Sequence, residues 1–200
     1  HTNILSRLYI ASMKSKFKNI FLLLLSFSSL STAQESYLID LIPKQVDSLS
    51  GDFYIVKVED ERQTKNKIGA IQSNGKMYAA NFPRPFEDYT YATLARMNPY
   101  SKKGQPVSVK IHQFLIEEKV GLDKGISKTT VQLEFFSVNS SKSIGIITAT
   151  AQKEGAKVIR EHSVTILKAL EKCLLQFDRL NSSFYADSKI PLNIPPKAGL

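Results

Sequence analysis

The strongest constraint on the fold is a long run of apolar residues near the carboxyl end of the chain, between Glu161 and Leu180. These residues recur at spacings of three and four, which places them on one side of a helix with charged and amide side chains opposite. Burying such a stripe gains about 10–20 kcal/mol of gross free energy before conformational entropy is subtracted. We therefore expect a long amphipathic helix with a sheet packed against it. The stripe consists of Val164, Ile166, Leu167, Leu170, Cys173, Leu174, Phe177 and Leu180.

The amino-terminal residues 1–33 have the features of a secretory leader. Three lysines within residues 14–18 precede an apolar core over residues 20–30, and small residues come just before Gln34. This is the pattern of a signal peptide with cleavage before Gln34. A permanent membrane anchor needs about 20 apolar residues, so we expect a periplasmic or secreted protein with no transmembrane span after leader removal. Residues 1–12 precede the first methionine, and we interpret them as lying upstream of the leader.

The distribution of charge argues against a nucleic-acid partner, and the single cysteine is predicted to lie in the core. The formal net charge is +9, but Arg7 and the lysines of the leader contribute to it without any acid before Gln34. The remaining basic residues are scattered, whereas a nucleic-acid-binding domain concentrates them on one face with aromatic residues between them. We therefore predict no nucleic-acid partner. The lone cysteine, Cys173, lies on the apolar stripe and is predicted to be a buried thiol.

Strand and helix patterns alternate through the middle of the chain. Asn74-Gly75 supplies the positive φ angles of a two-residue hairpin turn. The segment 86–97 begins with acids at Glu87 and Asp88, which is typical of the first turn of a helix. The pattern predicts an α+β fold, with an antiparallel or mixed sheet of about five to six strands and two helices packed on one face. The expected elements are a strand at 53–58, a hairpin at 68–71 and 77–79, a helix at 86–97, strands at 107–120, 129–138 and 144–152, and the long helix.

These patterns divide the chain into four segments. Residues 1–33 are the upstream segment and the signal peptide, and residues 34–50 are a linker or an edge strand. Residues 51–181 form a single α+β domain, which is large enough to fold without disulfide bonds. Residues 182–200 contain several prolines and are predicted to be a flexible tail.

A family resemblance comes from Val58–Arg62, with the letters V-E-D-E-R, and from Lys67–Gly69, with the letters K-I-G. They resemble the opening of YajG-like and ABC-transport-auxiliary domains of the bacterial outer envelope, and the likeness extends over residues 53–181. The resemblance implies a non-enzymatic envelope protein that assists transport or assembly, with an envelope protein or a lipid surface as its partner. It also implies that Asp60 and Arg62 form a structural pair that orders their loop. Members of this family usually carry a lipidated cysteine after the leader, where this chain has Gln34.

Acidic and imidazole side chains are the candidates for chemistry. Glu59, Asp60, His112 and Glu118 lie at predicted strand ends or loops. They support a second hypothesis, a small exported hydrolase or metal-dependent enzyme, which requires these groups to converge in a cleft.

A structural interpretation of the same groups competes with this hypothesis. Carboxylates at Glu59, Asp60 and Glu61 suit a hard cation, but adjacent strand residues point to opposite faces. His112 and His162 show no metal-binding spacing, and we predict that both lie at the surface. We therefore predict no catalytic residue, no metal and no cofactor.

Aromatic and basic residues crowd together between residues 78 and 100. Tyrosine and arginine are favoured at protein interfaces, although some of these side chains must also belong to the core. We predict a partner-contact surface here or at an edge of the sheet. The candidates are Tyr78, Arg84, Phe86, Tyr89, Arg96 and Tyr100.

Overall fold

The computed structural model describes residues 35–41, 49, 52–121, 123–156 and 158–185. The predicted leader and most of the predicted tail lie outside these residues. The described elements are β1 (Ser36–Leu38), β2 (Phe53–Asp60), β3 (Gly69–Ser73), β4 (Lys76–Asn81), α1 (Phe86–Met97), β5 (Gln105–Val120), β6 (Gly125–Ser137), β7 (Ser143–Gly155) and α2 (Val158–Tyr185).

The strands form one mixed sheet in the order β1-β4-β3-β5-β6-β7, and β2 also pairs with β5. The β3–β4, β5–β6 and β6–β7 pairs are antiparallel, whereas β1–β4, β2–β5 and β3–β5 are parallel. The α+β class with a mixed sheet agrees with the prediction, but the sheet has seven strands rather than about five to six. The additional strand is β1, which has only three residues and is too short to show a strand period. It lies in the segment 34–50, for which the sequence leaves both a linker and an edge strand open.

The β3–β4 hairpin turns where the sequence predicts it. Asn74 has φ 51° and Gly75 has φ 74°, so both central residues adopt the left-handed conformation of a two-residue turn. At the other end of the hairpin, Gly69 passes very close to β5. A Cβ at this position would lie 2.3 Å from the backbone oxygen of Ile116, so only glycine allows this approach.

Both helices pack on one face of the sheet. The ring of Phe177 from α2 stacks on Phe135 of β6 with centroids 4.0 Å apart. The ring of Phe86 from α1 packs edge-on against Phe114 of β5 at 5.3 Å. Phe114 lies directly opposite Val131, which has the same strand parity as Phe135 and therefore points to the same face. The arrangement of two helices on one face is therefore confirmed.

The long helix α2 follows the predicted stripe but differs at both ends. It begins at Val158 and continues to Tyr185, into the segment predicted as tail. Val164 is half-buried and Leu180 is 48% exposed. Leu180 lies beside Gly145, which has no side chain to cover it. The other members of the stripe are buried: Ile166, Leu167, Leu170, Cys173, Leu174 and Phe177.

The opposite face of the sheet carries a ladder of polar pairs between neighbouring strands, and we call it the open face. Thr130 bonds Thr150 at 3.1 Å, and Gln132 donates to Thr148 at 3.0 Å. Such pairs stabilise a sheet face that contacts water. No described helix packs on this face. No described helix is long and apolar enough to cross a membrane.

Candidate functional site

The sheet contains an interruption where β2 and β3 both meet β5, which we call the fork. β2 pairs with β5 as far as Asp60 opposite Ile111. β3 pairs with the same edge of β5 only where Gly69 lies opposite Ile116. On this edge, residues 112–115 pair with no strand of the described chain. The fork is therefore a short unpaired edge in the middle of the sheet.

Two hydrogen bonds close the ends of the fork. The backbone N–H of Glu61 donates to the oxygen of Ile111 at 3.0 Å, and the N–H of Ile116 donates to the oxygen of Ile68 at 2.8 Å. Between these bonds the loop 62–67 connects β2 to β3. Several residues of this loop line a depression that extends to residues of the open face.

A β-bulge lies at the same place on β5. The pairing with β6 shifts register between Ile111 and Gln113, so His112 is an extra residue in β5. Bulges reorient a side chain relative to the regular strand. The imidazole Nε2 of His112 lies 2.7 Å from Oε2 of Glu134 on β6. A hydrogen bond from Ser143 holds the pKa of Glu134 below its usual range, and His112 adds to this effect against the opposing effect of burial.

The loop and the bulged strand enclose a groove of about 730 Å³, which we call the fork groove. One wall consists of residues 61–64 and 67–69, and the other is the unpaired segment 112–115. Gln132, Glu134 and Ile146 extend the groove across the open face to β7. Its size lies within the range of ligand-binding clefts in proteins.

The floor of the fork groove is fixed by a buried ion pair. Arg62 donates from Nε to Oδ1 of Asp60 at 2.8 Å and from Nη2 to Oδ2 at 2.9 Å. It also donates from Nη1 to the oxygen of Lys67 at 3.1 Å, and its guanidinium lies 3.5 Å from the ring centroid of Phe86. Burial opposes ionisation of Asp60, but the hydrogen bonds and charge of Arg62 outweigh it and hold the pKa of Asp60 below its usual range. The structure therefore brings together the two residues implied as a structural pair.

Charged groups around the fork groove pair with each other. Lys57 forms an ion pair with Glu59 on β2. Lys110 on β5 lies 3.6 Å from Glu61, and its Nζ lies 5.3 Å from the ring centroid of Phe136. These lysines lie beside the groove, and of the charged side chains named here only Glu61 lines it.

The four candidate residues of the enzyme hypothesis lie apart. Asp60 binds Arg62, His112 binds Glu134, and Glu59 pairs with lysines. Glu118 accepts a hydrogen bond from the backbone of Gln72. No hydrogen bond or ion pair between described residues joins any two of the four. Among the described residues, no cluster of three histidine, cysteine or acidic side chains could hold a metal ion.

A buried polar network lies between α2 and the sheet, and it corrects the prediction of a surface position for His162. This side chain is fully buried, with Nδ1 2.7 Å from Oγ of Ser127 and Nε2 3.6 Å from Oε2 of Glu118. Burial lowers the pKa of His162, against the opposing effect of Glu118. Ser127 also bonds Thr165 at 3.0 Å and is itself fully buried, so a substrate has no access to this serine.

The position of His162 follows a signal that the sequence contains. His162, Thr165, Ala169 and Cys173 continue the three- and four-residue spacing of the stripe, and all are buried. Counting only apolar residues hides this extension of the buried face. Burial also raises the pKa of Cys173 to about 12, so the thiol remains protonated and unreactive.

The predicted contact surface between residues 78 and 100 divides into buried and exposed parts. Tyr89 is a core residue, only 5% exposed, and its ring is inaccessible to a partner. Its hydroxyl bonds Asp40 and accepts from the backbone N–H of Leu41 at 2.7 Å. It therefore anchors the amino-terminal segment. Phe86 and Tyr78 are half-buried and pack against the core.

The other three candidates remain exposed. The guanidinium of Arg84 lies 5.2 Å from the ring centroid of Tyr89. Arg96 is exposed in the last turn of α1. Tyr100 is 37% exposed and packs edge-on against Tyr54 with centroids 4.8 Å apart. These three side chains are available to a partner.

No family model and no curated protein matches the chain. Solved structures match with low sequence identity. A Xanthomonas campestris protein of family DUF330 matches with a TM-score of 0.44 and 10% identity, over 75% of this chain and 98% of that one. A minor lipoprotein from Acinetobacter baumannii matches with a TM-score of 0.29 and 10% identity, over 48% of this chain and 76% of that one. A neuraminyllactose-binding hemagglutinin homologue from Helicobacter pylori matches with a TM-score of 0.31 and 15% identity, over 74% of this chain and 100% of that one.

Proposed function

We propose that this chain is an exported, non-enzymatic accessory protein of the bacterial cell envelope that acts by binding a partner through the fork groove. The observation that carries the proposal is the fork groove itself, a cleft of about 730 Å³ on a sheet face that no described helix covers. The ionisable groups named around it are engaged with each other. Such a cleft is suited to contact rather than to proton transfer or nucleophilic attack.

The sequence supports the same function. The leader pattern predicts export to the periplasm or the exterior. The two segments that carry the family resemblance both contribute to the lining of the fork groove: Glu61 and Arg62 from V-E-D-E-R, and Lys67, Ile68 and Gly69 from K-I-G. The resemblance on which the transport-auxiliary or assembly role rests therefore includes residues of the groove.

The proposal is tested by capture of a partner with two matched variants. Ile146 lines the fork groove and is 58% exposed, while Ile126 is 36% exposed on the same open face outside it. Arginine at position 146 places a charge in the groove, whereas arginine at position 126 leaves the groove unchanged. Tagged wild-type protein, Ile146→Arg and Ile126→Arg are incubated with extract of the native cell envelope, and bound proteins and lipids are quantified by mass spectrometry.

We expect the wild type and Ile126→Arg to recover the same partner, and Ile146→Arg to recover about tenfold less, the effect of losing roughly 1.4 kcal/mol of binding free energy. Equal recovery by all three proteins would refute the groove as the contact surface. A third variant, Arg84→Glu combined with Arg96→Glu, tests the exposed basic residues. If only this variant loses the partner, the contact surface lies there instead.

A further inference from the structure

The unpaired edge inside the fork groove indicates the chemical class of its ligand. We propose that the groove binds a short extended peptide segment of a partner protein, which forms main-chain hydrogen bonds with β5 at the fork. This inference rests on the proposed function and adds the ligand class to it.

The direction of the backbone groups is fixed by the bond that closes the fork. The backbone N–H of Ile116 donates to the oxygen of Ile68, so the backbone polar groups of Ile116 point toward the fork. Polar groups along a strand alternate with a period of two. The N–H and C=O of Phe114 consequently point to the same side as those of Ile116. No strand of the described chain pairs with Phe114 on this side, so the fork presents a donor and an acceptor for an added strand.

The length of the interruption matches a short peptide. Because His112 is an extra residue of β5, the length is read from the partners of Ile111 and Ile116 on β6, which are Leu133 and Thr129. Four steps at about 3.3 Å per residue give roughly 13 Å, which accommodates about three extended residues between the two closing hydrogen bonds. Peptides that add a strand to an exposed sheet edge obtain affinity from main-chain bonds and specificity from alternate side chains.

Side chains of the groove complete a site for alternate residues of a peptide. Leu115 is 37% exposed and Ile146 is 58% exposed, and both line the groove. The amides of Gln113 and Gln132 lie beside them. Together they provide apolar contacts and neutral hydrogen-bonding groups at the same place.

The charge pattern favours a peptide over an anionic lipid. A phosphate-binding surface presents unpaired basic groups. Here Lys110 lies 3.6 Å from Glu61, and His112 lies 2.7 Å from Glu134. Lys67 also lines the groove, but it stands there with the acids Glu61 and Glu134, so the lining carries both signs of charge and not the basic cluster that a lipid headgroup would need.

The walls of the groove are already held in place without a ligand. The guanidinium of Arg62 makes two hydrogen bonds to Asp60 and one to the oxygen of Lys67. At the other end of the fork, Gly69 pairs with Ile116, and the N–H of Ile116 donates to the oxygen of Ile68. A pre-formed edge lowers the ordering cost that opposes peptide binding.

The test selects peptides from a random heptapeptide library displayed on phage, with the full chain as target. A selected peptide is then titrated into ¹⁵N-labelled protein. We expect the amide signal of Phe114 to shift and its hydrogen exchange to slow. We expect Ile146→Arg to weaken binding about tenfold or more, and Ile126→Arg to bind like the wild type.

A second peptide separates main-chain pairing from side-chain contact. The same sequence is made with N-methyl groups at alternate backbone nitrogens in both possible registers, which removes the donors on one edge. At least one of the two registers should bind tenfold or more weakly. If both bind like the parent peptide, or if Ile146→Arg binds the parent unchanged, main-chain pairing at the fork is refuted.

Other outcomes separate this inference from the proposed function. Recovery of no peptide above the level of target-free beads refutes the peptide class. If vesicles of phosphatidylcholine and phosphatidylglycerol bind the wild type but not Ile146→Arg, the ligand is a lipid. In that case the groove remains the contact surface and only the peptide assignment fails. The proposed function itself is refuted only by the capture experiment, if the wild type and both variants recover the partner equally.

Discussion

Arg62 links both ends of the loop that lines the fork groove, through Asp60 and the oxygen of Lys67. Its side chain is only 4% exposed, and that of Asp60 is 7% exposed. Arg62→Ala leaves the carboxylate of Asp60 buried without its partner. We expect the free energy of unfolding to fall by about 3–5 kcal/mol, the usual cost of breaking a buried ion pair on one side. Urea denaturation followed by circular dichroism measures this change.

An exposed ion pair on β2, the strand that precedes Arg62, provides the control. Lys57 pairs with Glu59 on β2, and the lysine side chain is 63% exposed. Exposed ion pairs contribute little because water and salt screen them. Lys57→Ala should therefore leave the urea midpoint nearly unchanged. A similar loss for Lys57→Ala and Arg62→Ala would mean that burial of the pair is not what stabilises the loop.

His162 predicts a pH dependence of stability. Burial lowers the pKa of His162 in the folded chain, against the effect of Glu118, whereas an unfolded histidine has a pKa of about 6.5. As the pH falls below about 6.5, the unfolded chain takes up a proton that the folded chain resists, so the free energy of unfolding decreases. Glu118 of β5 faces the ring as the charged group, while Ser127 of β6 and Thr165 of α2 provide neutral hydroxyls.

The contribution of His162 is measured by comparing variants. Urea unfolding at about pH 7.5 and about pH 5 gives the loss of stability on acidification. His162→Gln should lose less than the wild type, because its amide does not titrate. An identical loss for the wild type and His162→Gln would assign the acid sensitivity to other groups.

At the scale of elements, α2 contains a matched pair of leucines for testing the core. Leu170 is fully buried and Leu175 is 41% exposed on the same helix. Leu170→Ala should lower the free energy of unfolding by about 2–5 kcal/mol, because it removes buried methyl groups and leaves a cavity. Leu175→Ala should change it by less than about 0.5 kcal/mol. If the two substitutions lowered the free energy of unfolding by similar amounts, the side of α2 that contains Leu170 would not be the side that packs on the sheet.

The elements that sequence predicts well are those with a local signal. The bounds of α1 agree with the predicted helix at 86–97, and Asn74-Gly75 turns the predicted hairpin. The parallel β2–β5 pairing carries no such signal, since it depends on contacts between residues far apart in sequence. The fork was therefore not predicted, although the sequence contains one indication of it. The apolar residues of β5 that become buried have odd numbers up to Ile111 and even numbers from Phe114 onward, because the bulge lies between them.

The candidate contact residues illustrate a second limit of sequence. Composition alone identifies an aromatic and basic span, but it does not separate the side of α1 that faces the sheet from the side that faces water. Tyr89 therefore lies in the core while Arg96 is exposed. The pair of Asp60 and Arg62 is implied by the family resemblance, and its two members are only two residues apart in the chain, Asp60 at the end of β2 and Arg62 just after it. A contact surface, in contrast, depends on how distant parts of the chain fold together.

At the scale of the whole molecule, the sheet has helices on one face and an outer strand, β7, at one end. Exposed strand edges are prone to pair with other chains, and proteins protect them with charged side chains, especially lysine. Lys172 of α2 reaches this edge and donates from Nζ to the backbone oxygen of Thr150 at 2.8 Å. Its position protects a carbonyl that points away from β6.

Removal of that lysine should uncover the edge of β7. Lys172→Ala frees the carbonyl of Thr150, and we expect concentration-dependent association through edge-to-edge pairing. Sedimentation velocity over a range of protein concentrations detects it as an increase in the weight-average sedimentation coefficient. Lys168→Ala, which removes an exposed lysine from the same helix, is the matched control and should sediment like the wild type. If the two variants sediment alike at every concentration, Lys172 does not protect this edge, and the resistance of β7 to pairing comes from the twist of the strand or from its exposed polar side chains.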